Sequence, residues 1–268
     1  MKKFYFIIVA LILATPTLLP AAKGKIKDLY PPGNSKVTSN FTKPNIIGPG
    51  GVQVNSFTGN MFHQRNDLLI PGRGLDLEVT FSYNSGQTKN NWGYGYGWTT
   101  NFNMMYERKP GAVVVRREDG RKDVFVHSSG YTAPPGIFDE LSEYETGKFL
   151  LRTKYGMKYF FDDSACKKVT SDEDPNGNMR TYHYTDCFPM KITSPSGQAI
   201  TFAWESGRLV QVRDSIAFPP RTTSYEYDAR GNMVRVTDPL GHSASFPYDG
   251  AGNRLSHTDF QAYRREVS

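Results

Sequence analysis

The chain has 268 residues, 38% of them apolar, with 16 Tyr, 17 Phe and 3 Trp beside 25 Gly and 17 Pro. This is enough for one large β domain or two small ones, and rings with frequent turn residues predict many short strands rather than helices. The formal net charge is +6, of which Lys2 and Lys3 supply two. No run of five or more basic residues exists, so nucleic-acid binding has little support and no nucleic-acid partner is expected.

Residues 1–22 read as a secretory signal peptide. Lys2-Lys3 is the positive start, Phe4 to Leu13 is apolar with an interrupted extension to Leu19, and Ala21-Ala22 are small residues suited to cleavage. An uncleaved anchor is the alternative, but the stretch is too short and broken for a comfortable spanning helix. The expectation is an exported chain that is secreted, periplasmic or held at the cell surface. Residues 23–50, rich in Pro, Gly, Asn, Ser and Lys, read as a flexible lead-in.

A β region is predicted over 51–146. Leu75, Leu77, Val79, Phe81 and Tyr83 alternate with other residues and share one strand face. Ala112 to Val126 reads as a hairpin around Asp119-Gly120, a pair that suits a type I′ turn. Arg116-Arg117, answered by Glu118-Asp119, reads as its solvated face. The best helical stretch, Phe138 to Glu145, is only eight residues long. Between these lies Trp92-Gly93-Tyr94-Gly95-Tyr96-Gly97-Trp98. As a strand it would put all four rings on one face, serving either as core or as a carbohydrate-stacking patch.

From 147 to 262 the sequence repeats. Asp174-Pro175-Asn176-Gly177, Ser194-Pro195-Ser196-Gly197 and Asp238-Pro239-Leu240-Gly241 are three copies of one turn. Five residues after each Gly comes a ring (Tyr182, Phe202, Phe246), and seven after comes another (Tyr184, Trp204, Tyr248). An i, i+2 pair lies on one strand face. A second turn follows, as in Tyr227-Asp228-Ala229-Arg230-Gly231 and Tyr248-Asp249-Gly250-Ala251-Gly252. One unit is thus two short antiparallel strands and two turns. Too small to bury its own aromatic face, it must stack on its neighbours into a continuous sheet. Residues 263–268 form a tail.

No catalytic or metal-binding spacing is present, and no cofactor is implied. The five histidines (63, 127, 183, 242, 257) are scattered, and His183, between Tyr182 and Tyr184, should point away from the aromatic face. Cys166 and Cys187 are 21 residues apart, one repeat length. An even count in an exported chain favours a bridge; two separate thiols stay open, because the register between the two repeats is not set by the sequence.

Tyr227-Asp228-x-x-Gly231-Asn232, Val236-Thr237-Asp238-Pro239-Leu240-Gly241 and Phe246-x-Tyr248-Asp249-x-x-Gly252-Asn253 resemble the YD repeats of RHS proteins. Thr58-Gly59-Asn60, Ile70-Pro71-Gly72-Arg73-Gly74, Phe81-x-Tyr83-Asn84-Ser85 and Gly95-Tyr96-Gly97-Trp98 resemble the domain that precedes those repeats. The resemblance implies an all-β fold of antiparallel hairpin repeats in a continuous curved sheet, part of a hollow shell. It implies a non-catalytic scaffold that encloses or presents a toxin or effector, with further RHS repeats or that cargo as partners. Related teneurin shells act in adhesion, so a surface or carbohydrate-binding module is the alternative. Asp238-Pro239 resembles the motif near the cleavage site of some such shells, but as one copy of the repeating turn it reads as a turn. With about four to five repeat units, no toxin domain and an irregular end at Thr258 to Tyr263, the chain reads as a truncated shell.

Overall fold

The computed structural model describes residues 45–47, 52–55, 59–72, 74–162, 165–215 and 217–258. The expected leader, most of the lead-in and the tail lie outside the described residues. The described strands all fall in one unit, Gly33–Ser268, and all neighbouring strands pair antiparallel.

Five strands form the first sheet in chain order: β1 (Asn45–Ile47), β2 (Gln53–Asn55), β3 (Met61–Ile70), β4 (Leu77–Asn84) and β5 (Trp98–Thr100). The alternation expected of β4 sets its inner face. Leu77, Val79, Phe81 and Tyr83 are buried, while Leu75 precedes the strand. β3 carries a bulge at Asp67, because Asn66 pairs with Thr80 and Leu68 with Val79. The extra residue shifts the inward set from His63, Arg65 and Asp67 to Leu68 and Ile70.

The second sheet has four strands: β6 (Met105–Lys109), β7 (Ala112–Arg116), β8 (Lys122–His127) and β9 (Tyr131–Thr132). The β7–β8 connection differs from the expected type I′ turn. Only Gly120 has positive φ; Arg117 N–H donates to Arg121 C=O at 2.7 Å and Gly120 N–H to Arg117 C=O at 3.0 Å. This is a longer turn with one left-handed glycine. Its face is not solvated either. Arg117 continues the inward parity of Val113 and Val115 and is buried, donating to Asp123 at 2.7 Å and paired also with Asp139. A charge is tolerated inside only with such partners. Asp123 and Asp139 hold Arg117 charged against the opposing effect of burial.

The third sheet is a meander of eleven strands: β10 (Glu140–Glu145), β11 (Lys148–Arg152), β12 (Lys158–Phe161), β13 (Ser171–Glu173), β14 (Met179–Thr185), β15 (Phe188–Thr193), β16 (Ala199–Glu205), β17 (Arg208–Asp214), β18 (Thr222–Tyr227), β19 (Met233–Thr237) and β20 (Ser243–Ser245). Each pairs with the next. The short stretch from Phe138 is therefore mostly strand, and the continuous sheet of hairpins predicted from the repeat is present.

The two repeating turn motifs have one geometry. In Asp174–Asn178, Ser194–Gln198, Asp228–Asn232 and Asp238–His242 the first residue's N–H donates to the fifth residue's C=O at 2.8–3.0 Å. The fourth residue is always Gly, at φ +82° to +90°, and returns its N–H to the first carbonyl at 3.0 Å. An L-residue resists that φ. The opening Asp supplies a further acceptor. Asp174 Oδ1 takes the N–H groups of Asn176 and Asn178 at 2.8 and 2.9 Å. The Asn178 side-chain amide is the main cause holding the Asp174 carboxyl below its usual range.

The ring pair has a division of labour. The first ring, Tyr182, Phe202, Tyr225 or Phe246, is buried in the common core. The second is Tyr or Trp and hydrogen-bonds at its polar tip. Tyr184 Oη donates to Val169 C=O at 2.7 Å, Trp204 Nε1 to Pro189 C=O at 2.8 Å, and Tyr227 Oη to Leu209 C=O at 2.8 Å. In β14, β16 and β18 a register shift falls just before this second ring. The irregularity turns the polar tip toward a backbone carbonyl of an earlier strand or its flanking turn, which Phe could not satisfy. His183, between one such pair, is exposed. One core joins the sheets, with Phe81, Tyr106, Phe125, Phe149, Phe161 and Ile200 among its members.

Candidate functional site

The Gly-aromatic segment lies where the first sheet meets the repeats, but only its last residue, Trp98, belongs to a strand. Gly93, Gly95 and Gly97 have φ of +86°, +94° and +78°, so the backbone turns at every second residue and alternation fails. The four rings therefore do not share a face, which corrects that expectation. Tyr94 and Trp98 are buried; Trp92 and Tyr96 are half-buried. Tyr94 packs against Phe81, Phe102 and Trp204, with centroids 6.0, 6.0 and 5.4 Å away. Trp98 meets Tyr83 and Phe246, both at 5.2 Å, and donates from Nε1 to Tyr248 Oη at 3.0 Å. Asn91 Oδ1 holds the loop by accepting from Gly93 and Gly95 N–H at 2.9 and 3.3 Å. Gly93 C=O in turn accepts from Leu209 N–H at 2.9 Å. The segment is a clasp between the two halves of the chain.

Beside it sits a buried group of cations. Arg65 pairs with Asp67, donating from Nη2 to Oδ2 at 2.9 Å as well as from Nε, and Tyr225 Oη donates to the same Oδ2 at 3.0 Å. The Arg65 guanidinium lies among Trp98, Phe246 and Phe81, 5.1, 5.0 and 5.4 Å from the ring centroids. Arg254, from the last described turn, stacks on Tyr83 at 4.3 Å and meets His63 Nδ1 at 3.0 Å. Burial pushes Arg254 down to about 10. Burial, and then Arg254, pushes His63 down to about 3, so the imidazole is neutral at physiological pH and accepts from Arg254. This arrangement ties β3 to the final repeats. It presents neither a nucleophile nor an acid–base pair to solvent. Sequence reasoning missed it. Arg65 and Asp67 are spaced as an i, i+2 pair, but nothing in the sequence marks them as inward.

Among the described residues no group of three or more His, Cys, Asp or Glu side chains could hold a metal ion. His257 packs on His63 with ring centroids 4.7 Å apart, His127 packs on Tyr131 at 4.9 Å, and His242 Nδ1 contacts Asp238 Oδ2 within its own turn at 3.0 Å. Asp238-Pro239 takes the common turn geometry.

The structure joins Cys166 to Cys187, with Cα atoms 5.2 Å apart. Cys166 precedes β13, and Cys187 lies in the two-residue turn from β14 to β15. Cys187 has φ +63°, the slot that Gly207 fills in the next hairpin. Cys166→Ser with Cys187→Ser is expected to cost about 3 kcal/mol by loss of a loop of about 20 residues. Cys166→Ser with Cys187→Gly should lose about 1 kcal/mol less, because Gly accepts the left-handed backbone. Urea unfolding of both variants checks the difference; equal losses would sink the backbone argument.

Residues 51–125 match the family model described as a domain of unknown function, DUF6531. Residues 221–243 and 227–263 match the RHS Repeat model. Among curated proteins, the tRNA3(Ser)-specific nuclease WapA of Bacillus spizizenii is 31% identical over 278 aligned positions. The tRNA nuclease WapA of Bacillus subtilis (strain 168) is 30% identical over the same length. Each alignment covers 79% of this chain but 12% of the relative, so the chain spans about one-eighth of the length of these proteins. The hairpin meander, its repeated glycine turn and ring pair, and these matches lead to one assignment: the chain belongs to the RHS/YD-repeat proteins.

Proposed function

We propose that this chain is a non-catalytic wall segment of an exported RHS/YD-repeat shell that encloses or presents a toxin or effector. The observation that carries this reading is the eleven-stranded meander, in which each hairpin buries its rings beside the previous hairpin. A sheet built this way extends by adding units, as a wall requires. The nuclease names of the relatives fit an effector carried by the whole protein rather than by this segment, which spans 12% of their length. The carbohydrate alternative has no shared ring face to rest on, since Tyr94 and Trp98 are core residues.

The test is a segment exchange. The stretch of the Bacillus subtilis relative that aligns with this chain is replaced by this chain. The chimera is expected to be exported and to keep its carboxyl-terminal region as protease-resistant as in the parent. A soluble, folded chimera whose carboxyl-terminal region is digested freely would overturn the wall reading. Transfer RNA incubated with this chain alone is expected to stay intact, and cleavage would overturn the non-catalytic part.

A further inference from the structure

Residues 246–258 are fastened to the first sheet through one small cluster. Phe246 meets Trp98 of β5 at 5.2 Å, and Trp98 Nε1 donates to Tyr248 Oη at 3.0 Å. Arg254 and His257 reach across to β3, where both meet His63. His63 is 5% exposed. Its ring lies 4.7 Å from that of His257, and its Nδ1 accepts from Arg254 at 3.0 Å.

The groups that face His63 offer it no anion. Arg65 comes from β3 itself, Arg254 and His257 from the far end of the chain, and Tyr83, on which Arg254 stacks, from β4. Two carboxylates lie in the same neighbourhood, and both are committed. Asp67 serves Arg65 and Tyr225. Asp249 serves its own turn, accepting from the N–H groups of Ala251 and Asn253 at 2.9 and 2.8 Å and from the Asn253 side chain at 2.9 Å. Among the described residues His63 Nδ1 is the one acceptor that the Arg254 side chain meets, and its Nε and Nη2 have none. A buried guanidinium thus depends on a neutral imidazole. A proton on Nδ1 removes that acceptor and sets a second positive charge against the first, with Arg65 beside them.

We propose that these residues form an acid-sensitive latch: protonation of His63 releases 246–258 from the first sheet. Burial, and then Arg254, lowers His63 to about 3 in the closed latch, against 6.5 for an unperturbed imidazole. The stabilisation is therefore complete above pH 6.5 and is lost as pH falls from there toward 3. With these two values, opening becomes about 25-fold more favourable between pH 7 and pH 5. The inference stands apart from the wall reading and survives its failure.

The test is hydrogen exchange of the full chain at pH 7 and pH 5, read by mass spectrometry and corrected for the intrinsic pH dependence of exchange. Peptides from 246–258 are expected to lose about 25-fold in protection, while β14–β16 keep theirs. His63→Gln offers Arg254 an acceptor that does not titrate and should abolish the response. Imidazole NMR of the wild-type chain needs no variant and gives a second line if His63→Gln fails to fold. The His63 ring is expected to stay neutral at pH 5 wherever the latch is closed. Titration of His63 near pH 6.5 with 246–258 still protected would overturn the proposal. So would unchanged protection at pH 5, or a folded His63→Gln that responds as the wild type does. An equal loss in β14–β16 also overturns it, because acid would then be unfolding the whole chain.

Discussion

Asp67→Ala is expected to destabilise the protein by about 3–5 kcal/mol in urea unfolding, the cost of stranding a buried charge. The side chain of Asp67, the bulge residue of β3, is fully buried, and it supplies both oxygens to Arg65. Removing it leaves the Arg65 guanidinium among Phe81, Trp98 and Phe246 with no anion. Burial disfavours the charged arginine, and Asp67 is the main influence holding it charged. It also strands the hydroxyl of Tyr225, itself in the core. Asp67→Asn keeps an acceptor for that hydroxyl and should lose less. The discriminating measurement is a cycle with Arg65→Met. If the two residues act as a pair, the double variant recovers part of the loss, since a long apolar side chain replaces the charge that Asp67 served. Strictly additive losses would show that the pair is not coupled and that the effect is packing alone.

This pair also marks where the sequence stops being legible. The strand alternation of β4 and the ring spacing of the repeats are local patterns, and both read correctly because each concerns neighbours two residues apart on one face. The turn glycines were legible for the same reason. Arg117 follows the parity of Val113 and Val115, while Arg65 and Asp67 sit out of phase with Leu68 and Ile70 across the bulge, and a charged side chain defaults to the surface. What draws them inward is distant in sequence: Tyr225 and Phe246 for the first two, Asp139 for the third. The Gly-aromatic clasp failed for a different reason. Glycine permits an extended or a left-handed backbone equally, so three glycines at even spacing do not announce which one the tertiary contacts select. The polar tip of the second ring was written plainly as Tyr or Trp at positions 184, 204, 227 and 248. Its bulge and its carbonyl partner become visible only once the strands pair.

The clasp yields the second large effect: Gly95→Ala is expected to cost about 3–5 kcal/mol, against about 1–2 kcal/mol for Gly177→Ala. The two glycines have similar φ, +94° and +83°. Both substitutions therefore share the penalty of a left-handed L-residue. They differ in what the new methyl group meets. At Gly177 there is nothing within 4 Å. At Gly95 the methyl would come to 2.7 Å from the Met233 backbone nitrogen and 3.1 Å from its Cβ. Met233 is fully buried in β19, so neither atom can swing aside as a flexible side-chain end would. Either the loop lifts from the repeat sheet or the sheet shifts, and Trp98, in contact with the same spot at 3.3 Å, moves with it. The excess of Gly95→Ala over Gly177→Ala thus measures the close approach alone, about 1–3 kcal/mol of overpacking. Urea midpoints of the two variants, with tryptophan fluorescence reporting on Trp98, decide the matter. Equal midpoints would mean that the loop is not clamped on β19 and that the clasp between the first sheet and the repeats does not exist.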